Sequence, residues 1–142
     1  MRDMPEVEWT AFLREGTRTG KLAIVLPGGR PTVTPVWFVL DDDGVLWFNT
    51  DAGTAKARAL LIDPRACLLV DLEEPPFAFV RLDLSVTLED DLEVVRDVAT
   101  RVGGRYMGPD RAEEFGLRNG VPGELAVRCT ITKVVAKHEM SA

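Results

Sequence analysis

The segment 77–88 alternates without interruption between two kinds of side chain. One set is apolar throughout, and the other mixes aromatic, charged and hydroxyl groups: Ala78, Val80, Leu82, Leu84, Val86 and Leu88 against Phe77, Phe79, Arg81, Asp83, Ser85 and Thr87. A period of two is typical of a β-strand with one buried face. Such a strand is stable only in a sheet whose apolar face is covered. The chain must therefore form a sheet with a hydrophobic core on one side.

Further apolar runs, each bounded by turn residues, predict the rest of the sheet. Runs at 22–26, 32–40 and 45–50 predict a three-strand meander, and two more strands are expected at 66–71 and 125–131. Asp41-Asp42-Asp43-Gly44 is interpreted as a hairpin turn and not as a metal site, because calcium loops alternate their ligands.

Helical spacing predicts an amphipathic helix over 5–14, with Val7, Ala11 and Phe12 on its apolar stripe and a stop at Gly16. Further helices are expected at 55–62, from 90 or 91 to Gly103-Gly104, and at 109–115 before Gly116. About six antiparallel strands with two to three helices predict a mainly β fold, a small barrel with helices filling its ends.

Composition excludes several classes of function. The 142 residues suit one domain (1–142), and a net charge of -6 argues against nucleic acid and anionic membranes as partners. The single His138 and two isolated cysteines, Cys67 and Cys129, favour no metal site and no His-dependent hydrolase. We interpret His138 as a solvated tail residue, both cysteines as buried free thiols, and the protein as cytoplasmic without membrane spans.

One candidate for binding chemistry lies at a predicted helix start. Thr54 is placed to cap the helix over 55–62, and the Ala55 amide, Lys56 and Arg58 follow it in the first turn. Free amides, the positive end of the helix dipole and two cations make an anion site, for which phosphate is the natural ligand. On the residues alone, two cations that keep a surface helix soluble explain the pattern equally well.

The stretch 32–70 resembles the pyridoxamine 5'-phosphate oxidase-like split β-barrel superfamily. The flavin segment of that superfamily is an aromatic-rich strand, a Ser/Thr-x-Lys helix start, an Asn/Asp-Pro-Arg turn and an apolar strand. The corresponding segments here are Trp47-Phe48-Asn49-Thr50, Thr54-Ala55-Lys56, Asp63-Pro64-Arg65 and Ala66-Cys67-Leu68-Leu69-Val70. Members that use FMN carry cations where Thr34, Val39 and Ala55 stand here. Segments 30–38 and 55–58 are instead similar to the actinobacterial branch that uses coenzyme F420, a deazaflavin.

The resemblance implies a homodimer of split barrels with two cofactor sites at the subunit interface. It places the cofactor ring and phosphate along two strands and the helix start: Thr34, Pro35, Val36, Asn49, Thr50, Thr54, Ala55, Lys56 and Arg58. Trp37, Phe77 and Phe79 are candidates for a substrate pocket, although a Trp on a barrel strand and Phe under helices are also ordinary core residues.

The expected activity is that of an F420-dependent oxidoreductase, which transfers a hydride between the cofactor and an unsaturated small molecule. No side chain is assigned as catalytic, because the cofactor carries the reaction and the protein supplies orientation and shielding. Two alternatives stay open: an FMN-dependent enzyme of the oxidase type, and a non-catalytic protein that holds a flavin, deazaflavin or tetrapyrrole.

Overall fold

The structure is a computed structural model that describes all 142 residues. It contains one antiparallel sheet with the strand order β3-β2-β6-β7-β8-β5-β4, and β1 pairs with β8 at its side. The strands are β1 Arg2–Asp3, β2 Gly20–Val25, β3 Pro31–Val36, β4 Val39–Leu40, β5 Leu46–Asp51, β6 Arg65–Leu72, β7 Ala78–Glu89 and β8 Glu124–His138. The two ends of this order, β3 and β4, are consecutive in the chain. The sheet therefore curls into a barrel, and the prediction of a mainly β split barrel is confirmed.

Four α-helices surround the sheet: α1 Glu6–Arg14, α2 Ala55–Ile62, α3 Leu92–Met107 and α4 Ala112–Asn119, with a 3-10 turn at Pro109–Arg111 between the last two. α1 contributes Phe12 and Leu13, and α2 contributes Ala59 and Leu60, to the core inside the barrel with the inner faces of the strands. α3 packs on the outside of the sheet, where Val95, Val98 and Val102 contact Trp47 and Ala126. The fold thus has one core inside the barrel and a smaller one under α3.

β7 has the alternation of buried and outward-facing residues that was predicted from the sequence. Ala78, Val80, Leu82, Leu84 and Val86 are buried, whereas Leu88 is half-buried. The residues between them point to the outer face of the sheet, where Arg81, Asp83, Ser85 and Thr87 are exposed. No helix covers this outer face of β7, so its aromatic residues at the start of the strand stay partly exposed.

The predicted three-strand meander is wrong in its middle strand. The run 32–40 breaks at Trp37-Phe38 into β3 and β4, and β5 pairs with β4 and β8 instead of β3. The Phe38 amide donates to the Tyr106 hydroxyl at 3.3 Å, and the Phe38 carbonyl accepts from Arg105 at 2.8 Å. These two bonds from α3 replace the strand ladder at the break.

The glycines that were predicted to end α3 and α4 have another role. α3 continues through Gly103-Gly104 and ends before Gly108, whose φ is +106°. A Cβ on Gly103 would lie 2.3 Å from the Cβ of Phe115, and one on Gly116 would lie 2.0 Å from the hydroxyl oxygen of Thr100. Both glycines therefore let α3 and α4 approach closely, and both helices continue past the glycines that were predicted to end them.

Two further predictions need correction at the chain ends. Within α1, Val7 is 83% exposed and Ala11 is exposed, because the helix buries the neighbouring stripe that contains Phe12 and Leu13. β8 is 15 residues long and includes His138, so this histidine is a half-buried strand residue and not a solvated tail.

The cysteines differ in their surroundings. Cys129 is fully buried as predicted, but Cys67 is only partly buried, because it lies on the uncovered outer face of β6. The acidic triplet forms the expected hairpin turn, in which the Asp41 carboxylate accepts from the amides of Asp43 and Val45 and from the Trp47 indole. None of the helices is long and apolar enough to cross a membrane.

Candidate functional site

The start of α2 has the geometry expected of a capped helix. Thr54 has an extended backbone, its hydroxyl accepts from the Ala57 amide at 3.1 Å, and it donates to the Asp51 carbonyl at 2.8 Å. The amides of Ala55 and Lys56 precede the first intrahelical hydrogen bonds and have no intrahelical acceptor. The helix start therefore presents two free donors at the positive end of its dipole.

Lys56 is the cation that these donors accompany. Its side chain is partly buried, and its ammonium makes no hydrogen bond and no ion pair with the protein. Burial lowers the pKa of Lys56 below its usual value, with no carboxylate near enough to restore it. A desolvated cation without a counter-charge is stabilised by an anionic ligand, so this observation favours the anion site over the solvated helix face.

Arg58 is less available than the sequence suggests. Its guanidinium donates to the Gly53 carbonyl at 2.6 Å and so ties α2 to the turn that precedes it. The same turn is closed by Asp51, which accepts from the Gly53 amide at 2.7 Å. Arg58 retains free N–H donors for an anion, but it already has a structural role.

Sequence reasoning missed the acidic residues at this end of the barrel. Asp51 is paired in register with Glu124 on β8, and burial together with the Asp51 charge raises the pKa of Glu124. The Asp-x-Gly-Thr turn between a strand and a helix is the signal that could have identified Asp51. Carboxylates therefore lie at the same end of the barrel as the helix start, although none of them is close enough to pair with Lys56.

The strand segment 34–36 lies at the edge of the sheet. Thr34 and Pro35 are exposed, Val36 is buried, and β3 pairs only with β2. Thr34 is in register with the buried Leu22, so its side chain is on the inner face of the sheet and is still uncovered. β2 also packs against α2, and it is the element that connects the two predicted halves of the cofactor site.

Asn49 and Thr50 are adjacent in sequence but point to opposite faces of β5. The Asn49 amide donates to the carbonyls of Val95 and Leu125 at 3.3 and 3.4 Å, on the side of α3. The Thr50 hydroxyl is 3.3 Å from that of Thr54, on the side of α2. Only Thr50 belongs to the helix start through its side chain.

Trp37 is part of an aromatic cluster on the α3 and α4 side. Its ring stacks on Tyr106 with a centroid distance of 5.1 Å and an interplanar angle of 2°, and Phe115 is 6.2 Å away. The side chain is nevertheless 39% exposed. Trp37 therefore combines packing against α3 with a free surface, as both sequence interpretations allowed.

Phe77 and Phe79 line an open groove of about 600 Å³ on the outer face of β6 and β7. Leu69, Leu72 and Met140 supply further apolar lining, and Arg81 and Asp71 are among its polar residues. Sequence reasoning did not identify Met140 as part of this groove. Its amide donates to the Phe77 carbonyl at 3.2 Å, which fixes the end of the chain beside the groove.

The groove and the helix start are not neighbours in one chain. Asp51, which accepts from the Thr54 amide, pairs with Glu124 at the beginning of β8, whereas Phe79 pairs with Lys137 near its end. About 13 residues of strand, about 40 Å of contour length, separate the two positions. None of the residues 54–58 lines the groove. One chain therefore does not bring Phe77 and Phe79 to the helix start, whereas Trp37, the third predicted pocket residue, directly follows Val36.

Comparison with solved structures supports the architecture. The conserved hypothetical protein Rv2991 from Mycobacterium tuberculosis is 25% identical, with a TM-score of 0.84 over 97% of this chain and 87% of that one. An F420 reductase is 22% identical, with a TM-score of 0.68 over 87% and 94% of the two chains. HutZ, the heme storage protein from Vibrio cholerae, is 20% identical, with a TM-score of 0.71 over the whole of both chains.

The last two likenesses show the fold and do not select a ligand. No curated protein matches the sequence. A family model, in contrast, matches residues 6–137, which include every helix and almost the whole sheet, and its description is pyridoxamine 5'-phosphate oxidase. The chain belongs to the pyridoxamine 5'-phosphate oxidase family.

Proposed function

We propose that the protein is an F420-dependent reductase that works as a homodimer and reduces an unsaturated small molecule. The observation that carries the proposal is the start of α2, where an unpaired, partly buried Lys56 accompanies free helical amides. A phosphate is the ligand whose charge and oxygen atoms suit that arrangement.

The residues present fit the phosphate of a flavin-type cofactor. Thr54 uses its hydroxyl to cap the helix, so the Ala55 and Lys56 amides remain for the ligand. Charge-assisted bonds from the ammonium contribute about 1.5–3 kcal/mol, more than a neutral donor would. A bound phosphate would also raise the pKa of Lys56 back toward its usual value, which connects binding to the protonation of this residue.

The choice of deazaflavin over FMN rests on side chains that are not cations. Thr34 is an exposed hydroxyl residue at the sheet edge, and Ala55 contributes only its backbone to the helix start. Val39 packs against the cluster under α3 and does not offer a charge to any ligand. The F420 reductase among the structural relatives has this fold, which is consistent with the proposal.

When bound and reduced, a deazaflavin supplies a hydride and handles single electrons and oxygen poorly. The protein contributes by orienting the cofactor and the substrate and by excluding water. Lys56 and the first turn of α2 anchor the phosphate end, while the exposed backbone of 34–36 offers hydrogen-bonding groups to a planar ring. The open groove at Phe77 and Phe79 provides an apolar surface, and in the proposed homodimer a second copy of the chain would bring it close to Lys56.

Equilibrium titration with F420, FMN and haem tests the proposal directly. Fluorescence and visible spectra of the purified protein give the dissociation constant for each ligand. We expect F420 to bind most tightly and to support reduction of an enone or a quinone probe. A lower dissociation constant for FMN would replace the proposal by the oxidase alternative, and tight haem binding without turnover would replace it by a storage role.

A further inference from the structure

Two consecutive residues in the last turn of α3 hold separate segments of the chain in place. Arg105 donates to the Leu13 carbonyl at 2.7 Å and to the Gly16 carbonyl at 3.1 Å, where α1 ends and the chain turns. It also donates to the Phe38 carbonyl at 2.8 Å, at the break between β3 and β4. The hydroxyl of Tyr106 accepts from the Phe38 amide at 3.3 Å. Both backbone groups of Phe38 are therefore bound by α3.

The guanidinium of Arg105 is half-buried without a counter-charge. It lies 4.6 Å from the centroid of the Phe38 ring and 5.0 Å from that of Tyr106. Burial lowers the pKa of Arg105, and the side chain forms no ion pair. Its donors are fixed in one plane, so bonds to three carbonyls fix the relative positions of the segments that carry them. The single ammonium of a lysine does not reproduce this arrangement.

Trp37 receives its orientation from the same pair of residues. Its ring lies within 2° of parallel to the Tyr106 ring, with 5.1 Å between the centroids. The Tyr106 hydroxyl also donates to the Arg18 carbonyl at 2.9 Å, so the tyrosine cannot move without breaking hydrogen bonds to Arg18 and Phe38. Trp37 is nevertheless 39% exposed. Its indole is thus held from behind and partly open to a ligand.

Trp37 adjoins the segment to which the proposed function assigns the cofactor ring. It directly follows Val36, the last residue of β3, and precedes Phe38, which is fully buried. The chain on both sides of the tryptophan is therefore fixed. An indole fixed beside 34–36 offers an apolar π surface to a second planar molecule next to the cofactor.

We infer that Arg105 and Tyr106 are positioning residues that hold the Trp37 indole as a wall of the substrate site, and that this wall favours planar conjugated substrates of the quinone type. The inference rests on the proposed function and names its substrate class. Arg105 and Tyr106 act through the placement of Trp37. A planar ring that stacks on a preset indole costs little reorganisation of the protein, whereas a puckered ring gains little from such a wall.

Substrate preference distinguishes positioning from a merely structural role. With reduced F420, kcat/KM is measured for dimethylnaphthoquinone, which is planar and whose methyl groups block thiol addition, and for cyclohexenone, which is puckered. The intrinsic reactivities cancel when the ratio in a variant is divided by the wild-type ratio. In Trp37→Leu, Tyr106→Phe and Arg105→Lys we expect this ratio to fall about three- to tenfold, through a higher KM for the naphthoquinone. The dissociation constant of F420 should not change, because Lys56 is untouched.

Arg96 provides the matched control for Arg105. It lies nearer the start of the same helix, and it also donates to a backbone carbonyl, that of Gly120, at 2.9 and 3.2 Å. Urea titration measures the stability of each variant. Arg96→Lys should leave the probe ratio at the wild-type value whatever stability it loses. A ratio that changes equally in Arg96→Lys, or a loss of activity in Arg105→Lys that is equal for both probes, overturns the positioning role.

Fluorine NMR observes the indole without turnover. Protein labelled with fluorotryptophan gives a resonance for each of its three tryptophans, which are assigned with Trp9→Phe and Trp37→Phe. Dimethylnaphthoquinone should shift the Trp37 resonance and not that of Trp9, both with oxidised F420 bound and without it. In Tyr106→Phe the Trp37 resonance should move or broaden before any probe is added, because the hydroxyl that fixes the stacked ring is gone.

The outcomes separate this wall from the proposed function. A Trp37 resonance that responds to the naphthoquinone, in a protein that does not bind F420, supports the wall and overturns the function. F420 binding and turnover with an unchanged probe ratio in Trp37→Leu overturns the wall and leaves the function intact. A Trp37 resonance that does not respond to the naphthoquinone in either state of the protein also overturns the wall.

Discussion

Replacing Lys56 tests whether the start of α2 binds the phosphate of the cofactor. In Lys56→Gln the aliphatic stem and a hydrogen-bond donor remain, but the charge is lost. The charge-assisted bond contributes about 1.5–3 kcal/mol, so the dissociation constant of F420 should rise about ten- to a hundredfold. Lys56→Ala should give a loss of the same order, because the ammonium has no partner within the protein whose loss would add to it.

The free energy of unfolding should hardly change in the same variants. The charged form of Lys56 is disfavoured in the folded protein by burial and by its place at the positive end of a helix dipole. Removing it should leave the free energy of unfolding unchanged or raise it by a few tenths of a kcal/mol. Urea titration on the same preparation measures this. Lys137→Ala is the control, since Lys137 pairs with Asp3 at the far end of β8 and should not affect cofactor binding.

The lowered pKa of Lys56 predicts how the affinity for the cofactor changes with pH. The ammonium of Lys56 has a lowered pKa in the free protein, and a bound phosphate raises it again. Binding is therefore strongest while Lys56 is protonated, and affinity falls as the pH rises through the pKa values of the free and bound states. Isothermal titration in phosphate-free buffers should show this alkaline loss in the wild type and not in Lys56→Gln. Equal affinity in both proteins at neutral pH would refute the anion site and leave Lys56 a solvated helix residue.

Three other predictions concern stability and thiol chemistry. Gly116→Ala should lower the free energy of unfolding in urea by about 1–3 kcal/mol, because its Cβ would meet a side-chain oxygen of α3 at 2.0 Å. Asp41→Ala should cost about 1–3 kcal/mol by leaving the buried indole N–H of Trp47 unpaired, whereas Asp42→Ala, at an exposed neighbour, should be neutral. Burial opposes ionisation of Asp41, but its three hydrogen bonds lower its pKa, so its stabilisation should be present above about pH 4 and disappear as the pH falls through that lowered pKa. Burial raises the pKa of Cys129 far above its usual value, so an alkylating reagent should label it only at the rate of unfolding.

Local pattern was enough to predict much of the fold. β7 and the helix after Thr54 follow from spacing within one segment, because a period of two or a capped turn depends on near neighbours. The break at Trp37-Phe38 was not predictable in this way, because its cause is a pair of bonds from Arg105 and Tyr106 on a helix more than sixty residues away. The glycines of α3 and α4 were wrongly predicted to end helices for the same reason, since it is the close approach of the facing helix that requires a glycine there.

The candidate site shows the same division at a larger scale. Thr54 and Lys56 were identified from one helical turn, and their geometry agrees with the prediction. Phe77 was associated with them only through the family resemblance, and in the structure the length of β8 separates it from the helix start. A sequence records which residues share a strand face, but it does not record which end of that face meets another molecule. The exposed Leu61 near the helix start and the open groove at Phe77 are features that only the three-dimensional structure shows. In the proposed homodimer, a second copy of the chain would bring the Phe77 groove and the helix start together into one site.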